Sequence, residues 1–457
     1  MNSYTIHPSS YRDPAGFIFE YEGKVYRQVN KVYSGNYALL HSSGLYAALQ
    51  KAGKLIAHEP LQENITGSND WYVTLLPQQL AFISYPYEWC FDELKAAALL
   101  TLDILQISLD HGMILKDASP FNIQFAGGKP VFIDTLSFEK YDPAKPWIAY
   151  RQFVACFVVP LVLSSYKSTD FIKQLQLYPD GISTAFAAKV LPFKCRFRLS
   201  LLLHVYLPNT VKGTSGSKAR INTSFSKQKL LNIISSLTSL ICSLKPAKAQ
   251  SAWRNYYEET ILSDAYLQEK LLLVKNWINE VAGDTAIDIG TNTGIFAIAA
   301  AERFKQVIAT DNDDRCINDL YLTCKAKAIK NILPLCVDIV NPTPAIGWDN
   351  KERTTFLLRA GADLIMALAV IHHLVIGRNI SLTQVAALFG RLGKYVIVEF
   401  VPKSDPKVLA MIKNREDIFH DYSEEGFERC FSKEFNILKK ETIGSSTRIL
   451  YLMQKKL

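Results

Sequence analysis

No two of the eight cysteines form a C-x-x-C pair; Cys90, Cys156, Cys195, Cys242, Cys316, Cys324, Cys336 and Cys430 are scattered singly along the 457 residues. That spacing excludes a paired-cysteine zinc site and argues for reduced thiols rather than a disulfide frame, and no metal site is expected. Long apolar runs are missing as well. The longest, from Phe153 to Leu163, contains Pro160 and falls well short of the roughly 20 residues that a helix needs to cross a bilayer. The first residues carry no basic segment followed by an apolar one, so no secretory leader is expected and the reading is a cytoplasmic protein. The largest absence is of negative charge: between Asp180 and Glu258 there is not one acidic residue.

That interval holds twelve Lys and Arg residues, more than the net charge of +8 of the whole chain. A basic stretch without acids predicts contact with something anionic through residues 181–257. A membrane surface, to which the protein would be peripheral, and a phosphorylated ligand both fit, nucleic acid is not excluded, and a plain solvated linker is the alternative. Hydrophobic residues make up 49% of the chain and charged ones 21%, which is the balance of a folded protein. At about 150 residues per domain the length predicts two or three domains. Residues 209–228 are rich in Ser, Thr, Gly, Asn and Lys and read as a linker. Behind it Leu230, Ile233, Ile234, Leu237, Leu240, Ile241 and Leu244 recur at helical spacing, up to Pro246. The helix would lie on a membrane or dock on a neighbouring domain. The organisation expected is a domain at 1–208, a basic linker with this amphipathic helix at 209–250, and a second domain at 251–457.

The last segment alternates strands and helices. Strands are predicted at 285–290, 306–311, 333–338, 363–369 and 395–400, and two more, 435–438 and 447–453, are close enough to form a hairpin. Such alternation predicts a parallel, doubly wound sheet. The run Ala286 to Ala301 reads strand, glycine turn, small-residue helix. Gly290 and Gly294 let the backbone approach a ligand, and the following helix start offers free N–H donors. Asp311 closes the next strand about 20 residues on, where a carboxylate can accept ribose hydroxyls. Asp338 ends the third, placed for an adenine amino group. Three acids, Asp288, Asp311 and Asp338, in register on successive strands mark one site.

This register resembles the class I S-adenosylmethionine-dependent methyltransferases over about residues 256–457. The family's acidic-x-Gly-x-Gly-x-Gly motif stands here as Asp288-Ile-Gly290-Thr-Asn292-Thr-Gly294, with Asn292 in place of the middle glycine; Asn tolerates positive φ better than most residues. The resemblance implies a Rossmann-like seven-stranded sheet ending in an antiparallel hairpin. It also implies that Gly290, Asn292 and Gly294 wrap the methionine end of the cofactor, that Asp311 holds the ribose, and that Asp338 or Val337 meets the adenine. A dinucleotide-binding dehydrogenase expects Gly-x-Gly-x-x-Gly, which Thr293 and the lack of a glycine at 295 fail to match. His372 and His373 follow the fourth strand and are candidates for a general base, as is Glu399 at the end of the fifth; on an extended segment the two histidines would face opposite ways, so that only one meets the acceptor. The insertion 341–361, with Trp348, Glu352 and Arg353, is expected to shape or cover an acceptor pocket. The longer pattern through ALAVIHHLVIGRN, IVEFVPKSD and RILYLMQ looks like the bacterial methyltransferase-like proteins related to host-specific nodulation proteins.

In the amino-terminal part, Asp117 is followed by Asn122 and, after a glycine turn and an apolar strand, by Asp134. The segment resembles the catalytic and metal loops of protein and aminoglycoside kinases, which implies a base at Asp117 and metal-binding side chains at Asn122 and Asp134. Residues 81–110 read as strand, hinge and long helix, the order of an α+β kinase-like domain. Other parts of that pattern are missing. No glycine-rich loop precedes 21–30, no glutamate stands in 36–54 to pair a lysine, and Leu115 replaces the usual histidine; Lys24 or Arg27 remains to contact phosphate. The sequence therefore predicts an α/β chain that uses S-adenosylmethionine to methylate a small-molecule, glycan or lipid-linked acceptor. The alternatives are a bifunctional protein that also uses ATP and Mg²⁺ in its first domain, or a non-catalytic S-adenosylmethionine-binding scaffold.

Overall fold

The computed structural model describes residues 4–210, 226–248, 264–413 and 416–456. The chain divides into two compact units: Met1–Ala249 together with Ala345–Thr354, and Gln250–Pro344 together with Thr355–Leu457. Most of the expected linker, residues 211–225, lies outside the described residues.

In the first unit, β1 (Thr5–Ile6), β2 (Gly16–Tyr21), β3 (Lys24–Asn30), β4 (His58–Leu61) and β5 (Trp71–Pro77) form an antiparallel sheet in the order β1-β2-β3-β5-β4. The strand expected near 81–85 is instead an extended segment. Its main chain at Ser84 pairs with the Gln124 side chain, N–H to Oε1 at 2.9 Å and Nε2 to carbonyl at 2.9 Å, so the polar groups are satisfied without a neighbouring strand. The long helix follows at Phe91–Asp110. Beyond it, β6 (Met113–Leu115) pairs with a later short strand, while β7 (Ile123–Ala126) and β8 (Lys129–Phe132) make a tight hairpin, and β9 (Phe138–Lys140) is the partner of β6. Gly127 and Gly128 both have positive φ, 59° and 73°, as a two-residue hairpin turn of this hand requires. The apolar run from Phe153 is a helical core segment, and its Pro160 lies within a helical run continuous from Tyr150 to Tyr166, directly after the π-helical turn Val154–Val158 that interrupts the regular ladder there.

The amphipathic helix is Lys227–Ser243. Leu230, Ile234, Leu237, Leu240 and Ile241 are buried, and the helix packs on Phe91–Asp110, with Lys95 Nζ donating to the carbonyls of Cys242 and Leu244 at 3.1 and 2.8 Å. Its apolar face is occupied by protein, and the reading of this helix as one lying on a membrane is corrected accordingly.

The second unit is one seven-stranded sheet: β10 (Thr285–Ile289), β11 (Gln306–Asp311), β12 (Ile332–Cys336), β13 (Ala362–Ala367), β14 (Gly393–Phe400), β15 (Phe435–Thr442) and β16 (Ile449–Lys455). The order is β12-β11-β10-β13-β14-β16-β15, with the first five parallel and the last two an antiparallel hairpin. The fold is the mixed α/β sheet expected, with its closing hairpin. Strand order reverses between β10 and β13. Outside the carboxyl ends of strands at such a switch point, open α/β sheets leave a crevice for a ligand. Trp277, Phe296, Phe304, Val307, Leu364 and Ile397 belong to a core built from the helices Asp264–Glu280 and Ile295–Ala301 and the sheet. Burying aromatic or branched side chains of this size stabilises the unit by about 1.5–3 kcal/mol each.

Candidate functional site

The turn after β10 is tied to the next strand before it can reach a ligand. The N–H groups of Gly290 and Thr291 both donate to the Thr310 carbonyl, at 2.8 and 2.9 Å. Gly290, Asn292 and Gly294 have φ of 71°, 52° and 84°. A Cβ on Gly294 would come within 2.3 Å of Leu320, and one on Gly290 within 2.7 Å of Val370, so these two positions require glycine for space as well as conformation. Asn292 takes the left-handed conformation that the sequence assigned to it. Asp288 lies beneath the turn and accepts the Thr291 hydroxyl at 2.6 Å; burial pushes its carboxyl up to about 6, against the pull of Thr291 and Lys270.

Asp311 is the last residue of β11. Its two oxygens accept the N–H groups of Asn292, at 2.8 Å, and Asp313, at 2.9 Å. Burial raises its pKa, and these main-chain donors oppose the rise. What holds the carboxylate is main chain of the glycine turn and of the next helix start, which leaves lone pairs on both oxygens for a pair of hydroxyls. Val337 is buried and its N–H donates to the Asp311 carbonyl at 3.0 Å. Asp338 stands two residues beyond the end of β12 rather than on it, with Oδ1 accepting Val340 N–H at 2.9 Å. Thus Gly290, Asn292, Asp311, Val337 and Asp338 share the carboxyl edge of adjacent strands.

On the other side of the switch point, Ala369 has φ 56°, a conformation unfavourable for a residue with a side chain, and it leads into His372 and His373. These two were expected on an extended segment, facing opposite ways. They lie instead in a helical turn, with His372 at φ −65° and ψ −30°, and their rings stand 4.1 Å apart. Helical geometry rotates successive side chains by about 100°, not 180°. His372 is fully buried, neither ring nitrogen has a hydrogen-bond partner, and burial followed by the neighbouring His373 holds its pKa well below 6.5. His373 is half-buried and pushed down to about 4, chiefly by burial.

Glu399 is not available as a base. It is fully buried, its Oε2 is 2.5 Å from Lys270 Nζ, and its Oε1 accepts Tyr266 OH at 2.6 Å and lies 3.3 Å from Arg448. Burial opposes its ionisation, but Lys270 and Arg448 hold its pKa below the usual carboxylate range. Arg448 continues to Asp405, Nε to Oδ2 at 2.8 Å. This network, which sequence reasoning missed, joins the helix Asp264–Glu280 to β14 and the final hairpin. The signal was a lysine set inside the apolar repeat LQEKLLLV and an arginine opening the strand RILYLM.

A surface hollow of about 330 Å³ lies at the opposite edge of the sheet, lined by Thr285, Asp363, Gly393 and Lys394 among others. Asp363 there is engaged by Lys394 Nζ at 2.7 Å, the Thr285 hydroxyl at 2.9 Å and two main-chain N–H groups. With its carboxylate satisfied by these four donors, this edge is the weaker candidate. Within the insertion, Ala345–Thr354 groups with the first unit. There Glu352 pairs with Arg12 at 3.1 Å, and the Arg353 guanidinium lies 4.3 Å from the centre of the Phe121 ring.

In the first unit Asp117, Asn122 and Asp134 do come together, joined by Arg27 from β3. Arg27 Nη1 pairs with Asp134 Oδ1, the Ser137 hydroxyl donates to Oδ2, and Leu136 N–H donates to Oδ1 at 3.2 Å. Burial works against the Asp134 charge, and Arg27 and Ser137 overcome it, so its pKa is lowered. Asp117 accepts Ser119 N–H at 2.9 Å, and burial and then Asp134 raise its pKa against hydrogen bonds from Asn122 and Gln152. Lys24 sits exposed at the β2–β3 turn, apart from these groups.

No family model matches the chain. It is 32% identical over 456 residues to the nodulation protein NoeA of Rhizobium meliloti (strain 1021), covering 98% of this chain and 95% of that one. Among solved structures it is similar to the N-methyltransferase NodS of Bradyrhizobium japonicum WM9, at 13% identity over 43% of this chain and 99% of that one, with a TM-score of 0.33. The bifunctional kinase-methyltransferase WbdD matches at 16% identity over 44% of this chain and 42% of its own, with a TM-score of 0.31. At 32% identity over nearly the full length of both proteins, the chain belongs to the family of the nodulation protein NoeA.

Proposed function

We propose that the second unit is an S-adenosylmethionine-dependent methyltransferase. One observation carries the reading: Asp311, at the carboxyl end of β11 and one strand from the switch point, is held by the main chain of the glycine turn and the following helix start while both its oxygens keep lone pairs. Asp311 would take the ribose hydroxyls, the turn Gly290 to Gly294 the methionine end, and Val337 and Asp338 the adenine. The group fits the donor set, since a carboxylate, a strained glycine turn and a helix start supply what a sulfonium nucleoside needs. Bound there, the cofactor supplies an electrophilic methyl carbon. The chain's own work is positioning.

His373 is the residue that meets the acceptor. Its lowered pKa keeps it neutral at pH 7, so a ring nitrogen can take a hydrogen bond from an acceptor O–H or N–H and orient it. His372, fully buried, supports it. His373→Ala should cut turnover roughly 10²-fold with cofactor affinity unchanged. An equal loss in His372→Ala would reject this division of roles. The deciding experiment transfers labelled methyl from S-adenosylmethionine into fractionated cell extract and identifies the labelled species, with Asp311→Ala as control. Label incorporated equally by that variant overturns the assignment, and binding without any incorporation leaves the scaffold reading in its place.

The bifunctional reading keeps a single support, the convergence of Arg27, Asp117, Asn122 and Asp134. Against it, the carboxylate that would hold Mg²⁺ is already neutralised by Arg27. The reading adopted is a unit without ATP turnover, tested by Mg²⁺-dependent release of phosphate from ATP; release abolished by Asp117→Ala would reverse it.

A further inference from the structure

We infer that the face carrying Phe193, Phe197, Leu199, Leu203 and Leu207 is a docking surface for an anionic membrane, independent of the methyl-transfer reading. The segment opens with a short helix, Phe193–Phe197, and continues as one helical run from Leu199 to Thr210. Cys195, Leu201 and Val205 are buried and anchor it, and Arg198 ties it to the Tyr166 and Ser243 hydroxyls. The opposite side is apolar and open: Phe193, Phe197 and Leu199 are 68%, 78% and 69% exposed, and Leu203 and Leu207 extend the ridge at four-residue spacing. A cluster of large exposed apolar side chains on a fixed scaffold marks an interaction site.

The charge around the ridge selects its occupant. Lys194 and Arg196 alternate with the aromatic residues, both exposed, and the Arg196 guanidinium lies 5.3 Å from the centre of the Phe193 ring and 5.6 Å from that of Tyr206. Lys189 stands exposed on the adjacent helix Thr184–Val190, which packs against this run. No acid occurs between Asp180 and Glu258. A second copy meeting this face symmetrically would set basic residue against basic residue. Nucleic acid would satisfy the charge but offers nothing to three aliphatic leucines. Anionic lipid satisfies both, with phosphates taking Lys194 and Arg196 and the acyl boundary taking Phe193, Phe197 and the leucines.

The test uses the full chain and vesicles of phosphatidylcholine with and without phosphatidylglycerol. The protein should float only with the anionic vesicles and be released by salt of about 1 M, where the screening length falls to about 3 Å. Phe193→Ser with Phe197→Ser should weaken binding by about tenfold or more at an unchanged melting temperature, since both rings are exposed. Lys194→Gln with Arg196→Gln should weaken it similarly and flatten the salt dependence. Phe193→Trp should shift its emission to the blue on adding anionic vesicles. The proposal is overturned if the native chain does not float or if either double variant floats as well as the native chain. It is overturned equally if the aromatic variant converts a dimer into a monomer, or if the chain binds a single-stranded oligonucleotide but no vesicle.

Discussion

Asp134 in the first unit and Asp311 in the second each stand at the carboxyl end of a strand, largely buried, and each accepts main-chain N–H groups. They differ in their side-chain partners, Arg27 and the Ser137 hydroxyl for Asp134. A guanidinium from β3 closes on Asp134, whereas Asp311 is held by backbone donors of its own turn and the next helix start. Backbone donors orient a carboxylate without cancelling its charge, so it can still accept from a ligand; a buried cation cancels it, and ligand or metal must first displace the cation. Two acids of similar burial thus differ in what they can still accept: on the proposed reading Asp311 takes a ligand, whereas Asp134 is closed by its cation.

The largest effect that would break this comparison is in the first unit. Arg27→Met strands the Asp134 charge beside Asp117, and the loss should be about 3–5 kcal/mol in urea unfolding of the full chain. Asp311→Ala strands no cation but leaves the Asn292 and Asp313 N–H groups without their acceptor, and should cost less, about 1–2 kcal/mol. Similar losses in both variants would mean that the two acids play the same part. The second effect is on binding. By calorimetry, Asp311→Ala should weaken S-adenosylmethionine by about 1.5–3 kcal/mol, while Asp134→Ala should leave that affinity alone.

A further effect concerns the response of the second unit to pH. His373 is pushed down to about 4 and His372 is lowered as well, from an ordinary 6.5. Between those values the unfolded chain holds protons that the folded one does not, so stability should rise with pH by about 1.4 kcal/mol per pH unit for each histidine. Asp288, raised to about 6, works the other way below that value, because there the folded state keeps the extra proton. His373→Gln should therefore flatten the acid limb of the stability profile, and an unchanged limb would remove His373 from the buried site. The smallest effect expected is that of Asn292→Gly. Its φ of 52° suits glycine, so stability and cofactor affinity should both move by about 0.5 kcal/mol or less.

Local chemistry was legible in the sequence, and distant chemistry was not. The glycine turn and β11 fall where the sequence put them, because a short continuous apolar run and positive-φ residues leave marks within a few positions. The histidines were misread since two residues cannot announce a period. Glu399 was misread for a different reason: its partners Tyr266, Lys270 and Arg448 are at least 49 residues away in the chain, and nothing near Glu399 signals them. Likewise the strand expected near Phe82 looked apolar enough, but its hydrogen-bond partner is the side chain of Gln124, 40 residues on.

The placement of Ala345–Thr354 with the first unit also sets an order of assembly. A nascent chain has emitted nearly all of that unit once residue 249 clears the ribosome, yet the strip bearing Glu352 and Arg353 arrives about a hundred residues later, after β10, β11 and β12 have been made. At about 5–20 residues per second this is a delay of several seconds. During it Arg12 lacks the carboxylate it pairs with and Phe121 lacks its guanidinium cover. Synthesis must therefore run deep into the carboxy-terminal half before the amino-terminal half is finished, and a chain cut at residue 250 leaves the amino-terminal piece without Glu352 and Arg353.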